Sequence, residues 1–224
     1  QISLDKGLVE FNNSIFDIDF SLLLNESIIP INIEGSIPLN KQEKLDLRLI
    51  GNGKFIDLID IFADEYFTFK EGDVNLRMII KGNINKPILN GFIAIKDSEI
   101  EIYNNIIKDI NSVIIFDFDY LEIKNLKAST QDSGNIFIKG SLPFYDKNNL
   151  FKKDIILRTS KFNIENNNIK FLVDSNLNIS GSLENPILGG NLALNNGFVN
   201  FNSSKKKNNK NNNKNLNFKN NKKN

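Results

Sequence analysis

The 224-residue sequence contains no cysteine, no histidine and no tryptophan. Without cysteine it can form neither disulfides nor thiolate-ligated zinc or iron–sulfur sites. Without histidine it has no imidazole base, no Ser-His-Asp triad and no histidine-ligated metal. Three arginines and no tryptophan are little equipment for an anion-binding or sugar-stacking enzyme. We therefore expect a protein that is not an enzyme and that carries no cofactor.

Long apolar runs are also absent. The uninterrupted runs stop at about four residues, as at 113–116, whereas a membrane-spanning helix needs roughly 20. The first residue is Gln rather than Met, and no signal peptide precedes it. We interpret the chain as a piece of a longer protein, and we expect any membrane anchor to lie outside it.

Charge is unevenly distributed along the sequence. The total is 28 Lys and Arg against 27 Asp and Glu. Residues 203–224 hold eight of the lysines and no acid, so residues 1–202 carry 20 basic against 27 acidic residues, a net charge of −7. The last 22 residues are mostly Asn and Lys, which predicts a disordered tail or loop. Because this tail lacks arginine and, apart from Phe218, interleaved aromatics, we expect no nucleic-acid binding.

Alternation with a period of two dominates residues 1–202. Phe16, Ile18 and Phe20, for example, alternate with Asp17 and Asp19. Such alternation predicts β-strands with one apolar and one polar face. Turn signals between the alternating segments predict about 15 strands; they include residues 71–73 and 195–197.

One segment breaks the alternation. Phe55, Ile59 and Phe62 share one side of a 3.6-residue period, and Asp57 and Asp60 share the other. This spacing predicts a short amphipathic helix at about residues 54–64. The predicted fold class is therefore all-β, an elongated, repetitive and curved sheet with one short helix.

The sequence also repeats itself at long range. Residues 82–95 align with residues 181–194, and Gly35-Ser36-Ile37-Pro38 matches Gly140-Ser141-Leu142-Pro143. These offsets predict two units of roughly 100 residues, 1–103 and 104–202. The most specific local pattern is a glycine-and-proline corner that we assign to a structural turn. Its members are Gly82, Pro87, Gly91, Gly181, Pro186 and Gly190.

Paired carboxylates are the candidate metal or acid–base groups. Asp17 with Asp19, and Asp117 with Asp119, lie two residues apart, a spacing that can chelate a hard cation. Such pairs are more often the solvated face of an amphipathic strand. No calcium-loop pattern accompanies them, so we predict no metal site.

The apolar strand faces are numerous for a sheet with a single helix to cover it. On the residues alone, two interpretations remain open: a packed sandwich or solenoid core, and a curved sheet whose concave face is a continuous groove for acyl chains. The candidate groove-lining residues are Phe16, Ile18, Phe20, Leu22, Leu45, Leu47, Leu49, Leu76, Met78, Ile80, Ile100, Ile102, Phe116, Phe118, Leu177, Ile179, Leu192 and Leu194.

The order of these motifs resembles a known family. The helix at 55–62, the strand at 71–76, the glycine–proline corner at 82–91 and the strands at 110–116 and 133–142 follow one another in the family's recurring order. Over residues 1–202 the chain is similar to the C-terminal region of the TamB family. These translocation and assembly module proteins are AsmA-like bridge-type lipid-transfer proteins.

The resemblance implies a long, folded-over sheet with an apolar trough and no catalytic residues. It implies a periplasmic or intermembrane location, with an inner-membrane anchor outside this chain, and relatives in the chloroplast or cyanobacterial envelope. It also implies work with an outer-membrane BAM-like partner in protein assembly, and the carriage of phospholipid between membranes.

Two other functions are considered beside this expectation. One is a secreted or surface β-solenoid module for adhesion, with a packed core. The other, a β-helix enzyme such as a polysaccharide lyase, is disfavoured because such enzymes need charged clusters with aromatic platforms, and the aromatics here fall mostly on the apolar strand faces.

Overall fold

The computed structural model describes residues 2–24, 30–40, 43–53, 67–102, 105–131, 133–145, 154–165 and 169–199. The all-β prediction is confirmed, because these residues form twelve strands and no helix. The predicted helix at 54–64 and the predicted tail at 203–224 lie outside the described residues. No helix in the described ranges is long and apolar enough to cross a bilayer. The strands are β1 (Ile2–Asn12), β2 (Ile15–Leu24), β3 (Ile31–Pro38), β4 (Leu45–Gly53), β5 (Phe67–Asn83), β6 (Lys86–Ile102), β7 (Asn105–Phe118), β8 (Tyr120–Thr130), β9 (Asn135–Pro143), β10 (Ile155–Glu165), β11 (Ile169–Gly181) and β12 (Pro186–Val199).

All twelve strands belong to one sheet. They follow one another in sequence order from β1 to β12, and every neighbouring pair is antiparallel. Among the described strands, β1 and β12 do not pair with each other, so the sheet is open. Sequential antiparallel pairing places local segments side by side, which agrees with the short turns that the sequence predicts.

Cross-strand pairing puts most of the alternating apolar positions of successive strands on the same face, because directly opposed residues point the same way. One unbroken row crosses nine strands, from β1 to β9. Its members are Gly7, Phe20, Ile33, Leu49, Met78, Gly91, Phe116, Leu121 and Leu142. The opposite face carries most of the charged residues, and the two are called the apolar face and the polar face below.

The sheet folds over on itself between β7 and β10. Cα atoms of these two strands approach within 8 Å, although three strand spacings of ~4.8 Å would separate them by ~14 Å in a flat sheet. On the apolar face, Phe162 of β10 packs against the cluster of Ile107, Ile110 and Ala128. The apolar face is therefore the concave one in this region.

Bulges accompany this curvature. Asp97, Asp109 and Lys161 have positive φ angles of 46°, 56° and 51°, and the strand register shifts beside each of them. A bulge bends its strand and increases the local twist. The short length of β9 also contributes to the curvature. Because β10 continues past the first residue of β9, its last residues are not paired with β9 and can turn toward β7.

Four glycines mark a second source of curvature, the close approach of neighbouring backbones. Gly35, Gly91, Gly140 and Gly190 lie in β3, β6, β9 and β12, so one occurs in every third strand. Each has a positive φ, and a Cβ atom at any of them would lie 2.0–2.3 Å from a backbone oxygen in, or directly before, a neighbouring strand. These close approaches require glycine.

Two turn predictions are wrong. Residues 195–197 lie inside β12, and residues 71–73 lie inside the 17-residue strand β5 rather than between two strands. Gly72 has a φ of 128°, and the pairing with β6 shifts on both sides of Glu71. The Glu-Gly-Asp signal therefore marks a bulge, which is one reason why the described residues form fewer strands than the sequence predicts.

Candidate functional site

The apolar face is the candidate site. Register places the 18 candidate lining residues on it, in strands β2, β4, β5, β6, β7, β11 and β12. Strands β8 to β10 join the two groups, since Leu126 pairs with Ile138, Ile138 with Leu157, and Leu157 with Leu177. The chain thus brings these residues together on one continuous surface.

Exposure varies along this surface. Leu45, Leu76 and Met78 are buried, with at most 8% of their surface exposed, whereas Phe118, Leu192 and Leu194 are more than half exposed. The other twelve candidates are half-buried. The middle of the apolar face is therefore packed, and its margins are open.

The packed part centres on β5. Leu76 and Met78 form a cluster with Val74, Phe69 and Ile31, against which half-buried side chains from β3, β4, β6 and β7 pack. Neighbours of this kind stabilise the fold through ordinary apolar burial. These positions therefore contribute to the core as well as to the face.

Phe118 departs from the interior arrangement. It is the last residue of β7, has a φ of 56° and is 58% exposed. Its register partner is Leu89 on the apolar face, so it lies at the rim of that face where β7 turns into β8.

Sequence reasoning missed several buried apolar positions. Ile107 and Ile110 are buried, but the bulge at Asp109 spaces them by three residues, so a search for alternation does not find them. Val173 and Leu142 are also buried, but they keep the two-residue spacing of an alternating strand. In β9, the alternation of Ile136 with Ile138 could have identified the strands that lie between the two groups of candidate lining residues.

A few hydroxyl groups interrupt the apolar face. Ser98, Ser112 and Thr130 occupy positions in line with the apolar residues and are at most 5% exposed. On β10 and β11, Thr159 Oγ1 and Ser175 Oγ are 2.9 Å apart and share a hydrogen bond. No ionised group belongs to this set, so the face remains compatible with hydrocarbon.

Residues 143–145 connect two distant hairpins at one end of the strands. The backbone oxygens of Pro143 and Phe144 accept hydrogen bonds from Leu183 and Glu184 in the β11–β12 turn. The Tyr145 hydroxyl donates to the backbone oxygen of Pro87 at 3.3 Å. Burial, and secondarily the Glu184 carboxylate, raises the pKa of Tyr145 above its ordinary value.

The glycine–proline corner forms hairpin ends. Gly82 pairs with Pro87 beside the β5–β6 turn, and Gly181 pairs with Pro186 beside the β11–β12 turn. Each proline falls within the first two residues of the strand that follows. The remaining members, Gly91 and Gly190, are the close-approach glycines of β6 and β12.

Of the paired carboxylates, Asp17, Asp19 and Asp117 lie on the polar face, and Asp119 lies in the turn between β7 and β8. Asp19 forms an ion pair with Lys6, and the neighbouring Glu34 and Asp46 pair with Arg48 at 2.7 Å and Lys81 at 3.0 Å. All these side chains are exposed. Across the described ranges, no group of three or more His, Cys, Asp or Glu is placed to hold a metal ion.

Comparison with known proteins gives one weak similarity. A 135-residue stretch, 59% of the chain, is 22% identical to "Protein TIC236, chloroplastic" of Arabidopsis thaliana. The chain spans 6% of the length of that protein. No known protein-family profile matches the chain, and no solved structure matches it.

Proposed function

We propose that this chain is part of a non-enzymatic envelope scaffold of the TamB kind, whose apolar face holds phospholipid acyl chains. The observation that carries the proposal is the row of apolar and glycine positions that crosses nine strands of an open sheet. A face of this length without an ionised side chain suits a long hydrocarbon better than a small polar substrate.

Energetics support this occupant. Burying one CH₂ group contributes ~0.8 kcal/mol, so part of one acyl chain would gain several kcal/mol on the open margins of the apolar face. An unpaired charge on the same face would cost several kcal/mol. The absence of ionised side chains from the described part of the apolar face agrees with a passage for hydrocarbon.

Similarity to a chloroplast protein supports an envelope-related role, since the TamB resemblance implies relatives in the chloroplast envelope. On this basis the full-length protein is anchored to the inner of two membranes by a segment outside this chain. It carries phospholipid across the space between them, assists the assembly of outer-membrane proteins with a BAM-like partner, or does both. These roles belong to the proposal.

A packed β-solenoid for adhesion is the second candidate, and the buried cluster around Leu76 and Met78 favours a packed core. The topology favours it less. Solenoid coils stack parallel strands, whereas the described strands pair antiparallel in sequence order. Lipid binding separates the two functions.

Two exposed positions of β12 offer a matched test. Leu192 lies on the apolar face and is 56% exposed, and Ile187 lies on the polar face and is 64% exposed. The protein is purified without detergent, and co-purified phospholipid is quantified by mass spectrometry. We expect Leu192→Arg to reduce bound lipid several-fold and Ile187→Arg to leave it unchanged. Protein that carries no phospholipid in any form would contradict the proposal.

A further inference from the structure

A depression on the polar face lies apart from the apolar face described above. It has a volume of about 810 Å³ and lies across strands β9 to β12. Two cations, Lys139 and Arg158, one carboxylate, Asp154, and three amides, Asn176, Asn178 and Asn191, line it. Register places these side chains on the same face, since Lys139 pairs with Ile156 and Arg158 pairs with Asn176.

Glycines shape the floor of this depression. A Cβ atom at Gly140 would lie 2.2 Å from the backbone oxygen of Asp154, and one at Gly190 would lie 2.3 Å from that of Asn176. The backbones therefore approach closely where the sheet bends. A Cβ at Gly189 would meet nothing within 4 Å, which shows that open space lies above this strand.

The two cations are free of acidic partners. Within the described chain, no carboxylate forms an ion pair with Lys139 or Arg158. Arg158 Nε donates to Asn176 Oδ1 at 3.2 Å, which holds the guanidinium on one side and leaves its outer nitrogens available. The carboxylate of Asp154 accepts a hydrogen bond from Asn178 Nδ2. Asp154 lies four residues, or ~13 Å, along the strand from Arg158, and two residues from Ile156, which is the residue opposite Lys139.

Exposed amides complete the site. A guanidinium and an ammonium on adjacent strands match the oxygens of a phosphate group. Asn176 and Asn191 are exposed and lie directly opposite each other on β11 and β12. Their amides can donate to and accept from hydroxyl groups next to that phosphate.

We infer that this depression binds a phosphate ester of a polyol, with Arg158 and Lys139 on the phosphate and the asparagine amides on the hydroxyl groups. The ligand is either a soluble glycerol phosphate or the headgroup of a glycerol-containing phospholipid. Because the depression opens on the polar face, this binding does not depend on acyl chains occupying the apolar face.

Calorimetric titration of the 224-residue protein with sn-glycerol 3-phosphate and with inorganic phosphate tests the inference. We expect saturable binding that is tighter for the glycerol ester and weakens with added salt. Arg158→Gln and Lys139→Gln should each weaken it about tenfold, as the loss of a charge-assisted hydrogen bond implies. Arg77→Gln, the same change on the same face in β5, should alter it less than about twofold.

Vesicle sedimentation identifies the source of the phosphate. Binding to phosphatidylglycerol vesicles but not to phosphatidylcholine vesicles, lost in Arg158→Gln, would assign the site to a lipid headgroup. Binding of the soluble ester alone would assign it to a free metabolite. Circular dichroism confirms that the variants retain their strands.

Three results would overturn the inference. The first is no saturable binding of either probe by the wild-type protein. The second is equal weakening by Arg77→Gln, which would show nonspecific attraction of anions. The third is equal affinity for inorganic phosphate and the glycerol ester, which would show that the depression does not recognise the polyol. Lipid bound to the apolar face is measured separately, so the proposed function can stand or fall without this site.

Discussion

Single glycines determine where backbones of adjacent strands meet. Gly35 pairs with Leu47 of β4, whereas Gly91 pairs with Met78, whose partner in β4 is Leu49. The second glycine is therefore displaced by two residues along the strands relative to the first. The same displacement continues at Gly140 and Gly190, so the line of close approach crosses the sheet diagonally.

Replacing Gly91 tests this geometry. A Cβ there would lie 2.0 Å from the backbone oxygen of Arg77, at a φ of 153°. We expect Gly91→Ala to lower the free energy of unfolding by about 2 kcal/mol or more, because both strain and a backbone displacement are required. Gly189→Ala, at a position with open space, should change it by less than about 0.5 kcal/mol. Urea denaturation measures both, and equal effects would contradict the close-approach account.

The loss of stability caused by a charge introduced on the apolar face should depend on how deeply that position is buried. Leu76 is 7% exposed, so Leu76→Asp should cost about 4 kcal/mol and unfold much of the protein. Phe118 is 58% exposed at the rim, so Phe118→Arg should cost less than about 1 kcal/mol. Denaturant midpoints measure the two variants. If Leu76→Asp left stability unchanged, the interior of the face would not be packed as described.

At the scale of elements, one segment holds two hairpins in place. Phe144 follows β9, and its ring stacks on Phe116 with centroids 6.2 Å apart, while the adjoining backbone binds the β11–β12 turn. Phe144→Ala should lower the free energy of unfolding by about 2 kcal/mol, because the ring is half-buried. Tyr145→Phe should cost about 1 kcal/mol, since it loses one hydrogen bond. Thermal unfolding compares them, and a larger effect of the tyrosine change would contradict this ranking.

The strands, and the face on which most of their side chains lie, could be predicted from the sequence, because the alternation of residues such as Phe16, Ile18 and Phe20 is kept in the structure. The face on which residues after a bulge lie could not be predicted. Ile107 and Ile110 remain on one face although three residues separate them, and Thr159 and Phe162 do the same across Lys161. Alternation also cannot show that β10 approaches β7, since that depends on the sum of several local bends.

The depression on the polar face could not be predicted from the sequence either. In the sequence, Arg158 and Lys139 are ordinary members of polar strand faces, and the glycines are ordinary turn or bulge signals. The site depends on strand register, which brings three asparagines and two cations of four strands together. The absence of an acidic partner for the cations is visible only in three dimensions.

For the whole molecule, the important property is an open sheet with one apolar face. Twelve strands at a spacing of ~4.8 Å would extend over about 53 Å if unrolled. The close-approach glycines recur every third strand, so a three-strand unit of about 50 residues describes the curvature. A repeated unit of this kind extends a surface by adding strands, without requiring a new core.

Site-specific photo-crosslinking tests the central claim most directly. A photoreactive amino acid is placed at Ile18 or the exposed Leu194 on the apolar face, and at the adjacent Asp17 or Asn195 on the polar face, in protein incubated with phospholipid. The account predicts crosslinks to acyl chains at Ile18 and Leu194 and none at Asp17 and Asn195. Equal labelling of both faces, or no labelling at Ile18 and Leu194, would contradict it.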